Sequence, residues 1–133
     1  MNFSSIRIIT SDIKALIQFY EKITCLPITQ YTEDFAELRT PSFVLAIGST
    51  RTLQFFGGAH LAAPQMNRSV ILEFRVDDVD AEYGKLKEYL GKDLAQSPTT
   101  MPWGNRSMLF RDPDGNLINF FTPVTVEASK RVN

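Results

Sequence analysis

Three polar residues stand inside stretches that otherwise alternate like β-strands: Arg7 in SIRIIT, Glu73 in ILEFR and Asn119 in LINFF. A strand-borne carboxylate can take a proton, and a guanidinium or amide beside it can stabilise the oxyanion that results. The same groups also serve plain recognition, because Arg only donates, ionised Glu only accepts and Asn does both. Other chemistry-bearing residues are sparse. His60 is the only histidine and lies in the loop-like GGAHLAAP. As the only imidazole it is a general-base candidate, but a lone loop histidine reads first as a surface residue. Cys25, the only cysteine, sits in ITCLP with no base or CxxC partner beside it, and reads as a half-buried structural thiol. One cysteine and one histidine cannot build a zinc cage, so any metal here needs oxygen ligands. Asp77, Asp78 and Asp80 form a small acidic cluster explained by helix capping and a solvated face, while Asp112 and Asp114 are turn formers first. No Gly-rich phosphate loop, Ser-His-Asp set or nucleophile elbow occurs.

The elements that must position these residues are modest in number. A chain of 133 residues suits one domain, and a hydrophobic fraction of 44% supports a core. A formal net charge of −1 provides no footprint for nucleic acid. No apolar run is long enough to span a bilayer, and the N-terminus lacks the basic-then-apolar pattern of a signal peptide. The expectation is a soluble, cytoplasmic, single-domain protein, 1–133.

The informative pattern is an internal repeat. Residues 6–21, IRIITSDIKALIQFYE, superpose on 72–87, LEFRVDDVDAEYGKLK, with Asp12 on Asp78. Both copies read as an alternating strand, an acidic N-cap and an amphipathic helix. Ile13, Leu16, Ile17 and Tyr20 recur at helical spacing, as do Val79, Tyr83, Leu86 and Leu90, with Gly91 as the second helix's stop. Strands Phe35–Arg39 and Phe43–Ile47 flank Thr40-Pro41-Ser42. Strands Arg106–Arg111 and Asn116–Thr122 flank Asp112-Pro113-Asp114-Gly115, a type I turn by composition. Each half therefore reads β-α-β-β-β. Module one spans 3–56, a joining loop 57–67 and module two 68–123, with a polar tail, 124–133, expected to fray.

The start IITSDIKALIQFYEK, the mid-chain FRVDDVDAEY and the segment PWGNRSMLFRDPDGNLINFF together resemble the vicinal oxygen chelate superfamily of glyoxalases, extradiol dioxygenases and bleomycin resistance proteins. The Trp-Gly pair before DPDGN looks most like the bleomycin-resistance branch. The resemblance covers roughly residues 3–123. It implies an α+β fold in which two βαβββ modules form a half-open barrel, with a ligand cup on the concave side that a second subunit often completes. Metal-dependent members place His, Glu or Gln ligands at four positions, which fall here on Ser5, Ala46, Ile71 and Asn119. A hydroxyl, a methyl, a hydrocarbon and a neutral amide do not make a site for a hard cation. The reading is a scaffold without metal and without another cofactor.

Strand parity then assigns the cup. If 5, 71 and 119 point inward, so do Arg7, Glu73 and Phe121. Arg7 and Glu73 occupy equivalent places in the halves, and are either an ion pair at the cup floor or two solvated charges on an open sheet face. Simple pairing across DPDG places Arg106, Met108 and Phe110 on the face of Leu117, Asn119 and Phe121. Trp103, in a Pro-Trp-Gly loop, is the leading ligand-contact candidate. Aromatic walls with a few polar groups suit a planar ligand.

Two functions from different classes follow. One is a metal-free homodimer that sequesters an aromatic or antibiotic-like small molecule. A charge of −1 helps little with a strongly cationic drug such as bleomycin. The other is a lyase or isomerase of the same superfamily, either metal-independent with Glu73 as base or using a shifted ligand set. A blander alternative is a subunit whose sheet face only mediates dimerisation.

Overall fold

A computed structural model describes residues 1–131. The chain divides into two compact units, Met1–Asn67 and a second beginning at Arg68. Each contains one four-stranded mixed sheet backed by a helix.

In the first unit, β1 (Ser5–Thr10) leads into α1 (Ile13–Thr24), followed by β2 (Thr29–Thr32), β3 (Phe35–Arg39) and β4 (Val44–Ser49). The sheet order is β1-β4-β3-β2, with β1 parallel to β4 and the other pairs antiparallel. The Asp12 carboxylate caps α1 by accepting from the Ala15 N–H at 3.1 Å. Leu16, Phe19, Tyr20 and Ile23 are buried at helical spacing. The helix face is thus rotated from the sequence expectation, leaving Ile13 and Ile17 half-buried at its margin. Ile8, Leu45, Ile47, Ala36 and Leu38 form the buried side of the sheet. Each of these leucine and isoleucine side chains contributes about 1.5–3 kcal/mol relative to exposure, and Ala36 less.

The second unit repeats this order: β5 (Ile71–Arg75), α2 (Val79–Leu90), β6 (Leu94–Thr100), β7 (Asn105–Arg111) and β8 (Leu117–Pro123). Its sheet runs β5-β8-β7-β6, with β5 parallel to β8. Asp78 caps α2 on the Ala81 N–H at 3.1 Å, matching Asp12 in the first unit. Val79, Leu86 and Leu90 of α2 are buried, as are Leu72, Met108, Phe110, Ile118 and Phe120 of the sheet. Phe120 meets Phe110 and Phe74 edge-on, at ring centroid distances of 5.0 and 5.6 Å. The Thr122 hydroxyl accepts from the Val79 N–H and donates to the Val76 carbonyl, locking the entry of α2 to the sheet.

The tail departs from expectation. Val126–Arg131 is a short helix, α3, rather than a frayed segment. The Thr125 hydroxyl accepts from the Ala128 N–H at 3.1 Å, Ala128 is fully buried, and Arg131 donates to the Trp103 carbonyl. Polarity hid this anchor, because a threonine cap and one buried alanine suffice where a glycine lies beneath. Gly104, at φ +93°, is that glycine: a Cβ there would lie 2.2 Å from Thr125 Oγ1 and 3.1 Å from Ala128 Cβ. Residues 132–133 of the expected tail lie outside the described residues.

Candidate functional site

The hairpin between β7 and β8 decides which side chains meet on the open face of the second unit. The Gly115 N–H donates to the Asp112 carbonyl at 2.9 Å, closing a type I turn. Asp112 does not pair with Gly115, however. Its N–H donates to the Asn116 carbonyl at 3.0 Å, while Gly115 takes φ +84° as an added bulge residue. The Asp112 carboxylate locks this loop by accepting from the N–H groups of Asp114 and Asn116 and from Asn116 Nδ2, at 2.8, 2.9 and 2.8 Å.

That one extra residue reverses the parity of β7. Asn119 stands opposite Leu109, and Phe121 opposite Ser107. Arg106 and Met108 therefore do not share a face with Asn119, correcting the expectation from simple pairing; Phe110 moves with them. Met108 is fully buried on the helix side, with Phe110 and Phe120. Arg106 reaches α2, donating from Nε and Nη2 to the two Asp80 oxygens at 2.8 and 3.0 Å. That hydrogen bonding holds the Asp80 carboxyl below, and the Arg106 guanidinium above, its usual range. Sequence reasoning missed Ser107 and Leu109; the glycine closing DPDG was the available signal, since it suits a bulge.

On the corrected face, β5 and β8 bring Glu73 beside Asn119. Asn119 Nδ2 donates to Glu73 Oε2 at 2.8 Å. An ionised carboxylate can only accept, so this contact fixes which way the amide points. Asn119 is 8% exposed, and its Oδ1 is buried with no hydrogen-bond partner among the described residues. Glu73 is exposed; Leu109, Leu117 and Phe121 are half-buried on the same face, and Ile71 is 48% exposed. The pair thus offers acceptors set among apolar side chains.

The first unit carries a different arrangement. Register puts Arg7 next to Ala46, with Phe35 opposite Gly48 on the same face. The Arg7 guanidinium lies over the Phe35 ring at 4.6 Å and over the Phe56 ring at 5.7 Å, a cation–π arrangement. A Cβ at Gly48 would lie 3.1 Å from Thr52 Oγ1, the tight approach at this position, and in ordinary van der Waals contact, 3.6 Å, with Arg7 Cδ and Nη1. The sequence carries no signal that brings Phe35 to Arg7; the register of β1, β4 and β3 does so. Along the same strand, Arg39 donates to Glu37 at 2.7 Å, and bonding to Tyr31 and then Glu37 raises the Arg39 pKa.

Of the four positions that the resemblance assigns to metal ligands, Ser5 is exposed at the start of β1, Ala46 is buried, Ile71 is 48% exposed and Asn119 is buried. Two of these four side chains carry no donor atom at all, so the set does not fit a divalent cation. Among the described residues, no three His, Cys, Asp or Glu side chains gather in a metal-holding group. Trp103, in the turn before β7, is 59% exposed. His60 lies exposed in a 3-10 turn, Ala59–Leu61. Cys25 is not half-buried as expected: it is exposed, at φ +55° as the C-cap of α1, with its N–H donating to the Glu21 carbonyl.

Comparison with known proteins agrees with this architecture. The uncharacterized protein YraH of Bacillus subtilis (strain 168) is 27% identical over 125 residues, covering 91% of this chain and 98% of its own. The uncharacterized protein YwbC of the same strain is 28% identical over 117 residues, covering 86% and 91%. A glyoxalase/bleomycin resistance protein/dioxygenase from Nocardioides superposes with a TM-score of 0.77 at 21% identity, covering 95% of this chain and 85% of its own. A family enzyme from Burkholderia phytofirmans PsJN gives 0.78 at 18%, covering 91% and 98%. These likenesses establish the α+β glyoxalase-type fold. No helix among the described residues is long and apolar enough to cross a membrane. The family profile matches residues 2–120, and with that match the doubled βαβββ chain belongs to the Glyoxalase/Bleomycin resistance protein/Dioxygenase superfamily.

Proposed function

We propose that this protein binds an aromatic or antibiotic-like small molecule without metal, in the manner of the bleomycin-resistance branch, and sequesters rather than transforms it. The observation that carries this reading is at position 119. Where a Glu would be the last metal ligand of the metal-dependent pattern, this chain has a neutral amide that donates to Glu73, with Leu109 opposite it and Leu117 and Phe121 on its own strand face. Binding needs aromatic surface and a few oriented polar groups; Phe35 and Phe56 beside Arg7, and Phe121 on the face of Asn119 and Glu73, support this reading. Arg7 and Glu73 are the polar anchors of the two units, and Trp103 adds an exposed ring. A homodimer is the assembly this reading takes from the resemblance.

The test joins two titrations. Aromatic natural products are screened by quenching of Trp103, the only tryptophan, and by thermal shift. A ligand at a hundred times its dissociation constant stabilises by about 2.7 kcal/mol. Divalent ions are titrated in parallel, with a flat melting response expected. Stabilisation by Mn²⁺ or Zn²⁺ that a chelator reverses, with no response to any aromatic compound, refutes the proposal. The enzyme reading rests on Glu73, a carboxylate oriented by Asn119. It gains only if turnover of an acidic C–H substrate disappears in Glu73→Gln.

A further inference from the structure

We infer that the Glu73–Asn119 pair selects ligands carrying an N–H donor group, an amide, amidinium or ammonium on an aromatic body, and discriminates against carboxylates and esters. The inference rests on the binding reading above and specifies the ligand's polarity. Asn119 is more than nine-tenths buried, and its Nδ2 is consumed by Glu73. Its Oδ1 is left buried without a partner among the described residues. An amide oxygen in that state costs free energy until something donates to it. The amide cannot relieve the cost by rotating, because that would aim Oδ1 at the Glu73 carboxylate. Glu73 itself uses Oε2 for Asn119 and carries a second oxygen able to accept. Two adjacent acceptors, one buried and neutral and one charged, have no use for a further acceptor. A carboxylate presented there meets repulsion, whereas an N–H group satisfies the orphaned oxygen and gains a charge-assisted bond.

The apolar neighbours set the rest of the ligand. Phe121 follows Asn119 by two residues on β8, Leu109 stands opposite it on β7, and Ile71 lies two before Glu73 on β5. Arg75 and Arg111 share the face, and the Arg111 guanidinium is tied to the Gly115 carbonyl at 3.0 Å. These cations by themselves attract anions. Selection of a donor therefore separates the acceptor pair's influence from that of the face's general charge.

Four probes with one ring decide it: benzamidine, benzamide, methyl benzoate and benzoate, titrated into isotope-labelled protein and followed by amide NMR. Benzamidine and benzamide are expected to shift the Asn119 side-chain signal and its β8 neighbours, binding at least about tenfold tighter than benzoate. Asn119→Leu should abolish that preference. Glu73→Gln, which keeps a hydrogen bond to Asn119, should weaken benzamidine by about tenfold and benzamide much less, and it carries the test if the leucine variant fails to fold. If benzoate binds equally well, or Glu73→Gln leaves the benzamidine-to-benzoate ratio unchanged, donor selection is wrong while aromatic binding survives. If no probe moves this face, and no aromatic library compound does, both readings fall.

Discussion

Replacing Asp112 tests whether the loop before β8 really sets the face of the second unit. In Asp112→Ala three hydrogen bonds to one carboxylate disappear, from the N–H groups of Asp114 and Asn116 and from Asn116 Nδ2. Hydrogen bonds to charged groups are worth about 1.5–3 kcal/mol each, but the two backbone donors regain part of this from water. The side chain of Asn116, only 5% exposed, does so less readily. The expected loss is therefore about 3 kcal/mol. With a urea slope of about 1.5 kcal/mol/M, the unfolding midpoint falls by about 2 M. Asp112→Asn keeps an acceptor for the two backbone donors and should cost only about 1 kcal/mol, since one donor–donor contact has to be relieved by turning Asn116. Urea unfolding followed by circular dichroism gives both numbers, and amide NMR reports whether Asn119 still bonds Glu73. A midpoint shift below about 0.3 M for alanine, or equal shifts for the two variants, would show that the carboxylate does not lock the bulge.

Gly104→Ala is expected to lose about 3 kcal/mol or more, combining a left-handed backbone with overlap against Thr125. Release of α3 should also move Trp103 emission, and a wild-type melting curve would contradict the packing. The Asp80 carboxyl titrates below its ordinary 3.8 because Arg106 donates to it. Its stabilising contribution is present above pH 3.8 and is lost as pH falls through the lower folded value. Arg106→Gln should therefore lose melting temperature less steeply on acidification below pH 3.8 than wild type; parallel curves would argue against the pair. Cys25→Gly relieves a left-handed non-glycine residue and should raise stability by about 0.5–1 kcal/mol, partly offset by greater freedom in the unfolded chain. Thermal denaturation checks it, and the exposed wild-type thiol should react with a disulfide reagent without unfolding.

Much of this protein was legible in the residues because local physics repeats. Alternation in IRIIT and ILEFR, carboxylate caps at Asp12 and Asp78 and the glycine stop at Gly91 each act over a few residues, so they specify strands, helices and the doubled module directly. The residue types at position 119 and at the other positions that the resemblance assigns to metal ligands are likewise read without coordinates. Whether a side chain faces the site is another matter. It hinged on a single added residue at Gly115, and with period-two geometry one residue exchanges the two faces, sending Arg106 and Met108 to the helix and Ser107 and Leu109 to the site. Partner choice was likewise settled only in three dimensions. Arg7 lies over Phe35 and Phe56, and Asn119 spends its donor on Glu73, because register across β1–β4–β3 and β5–β8 sets distant residues side by side. Composition and periodicity are sums over near neighbours, whereas the orphaned Asn119 oxygen is a property of what surrounds it once the chain has closed.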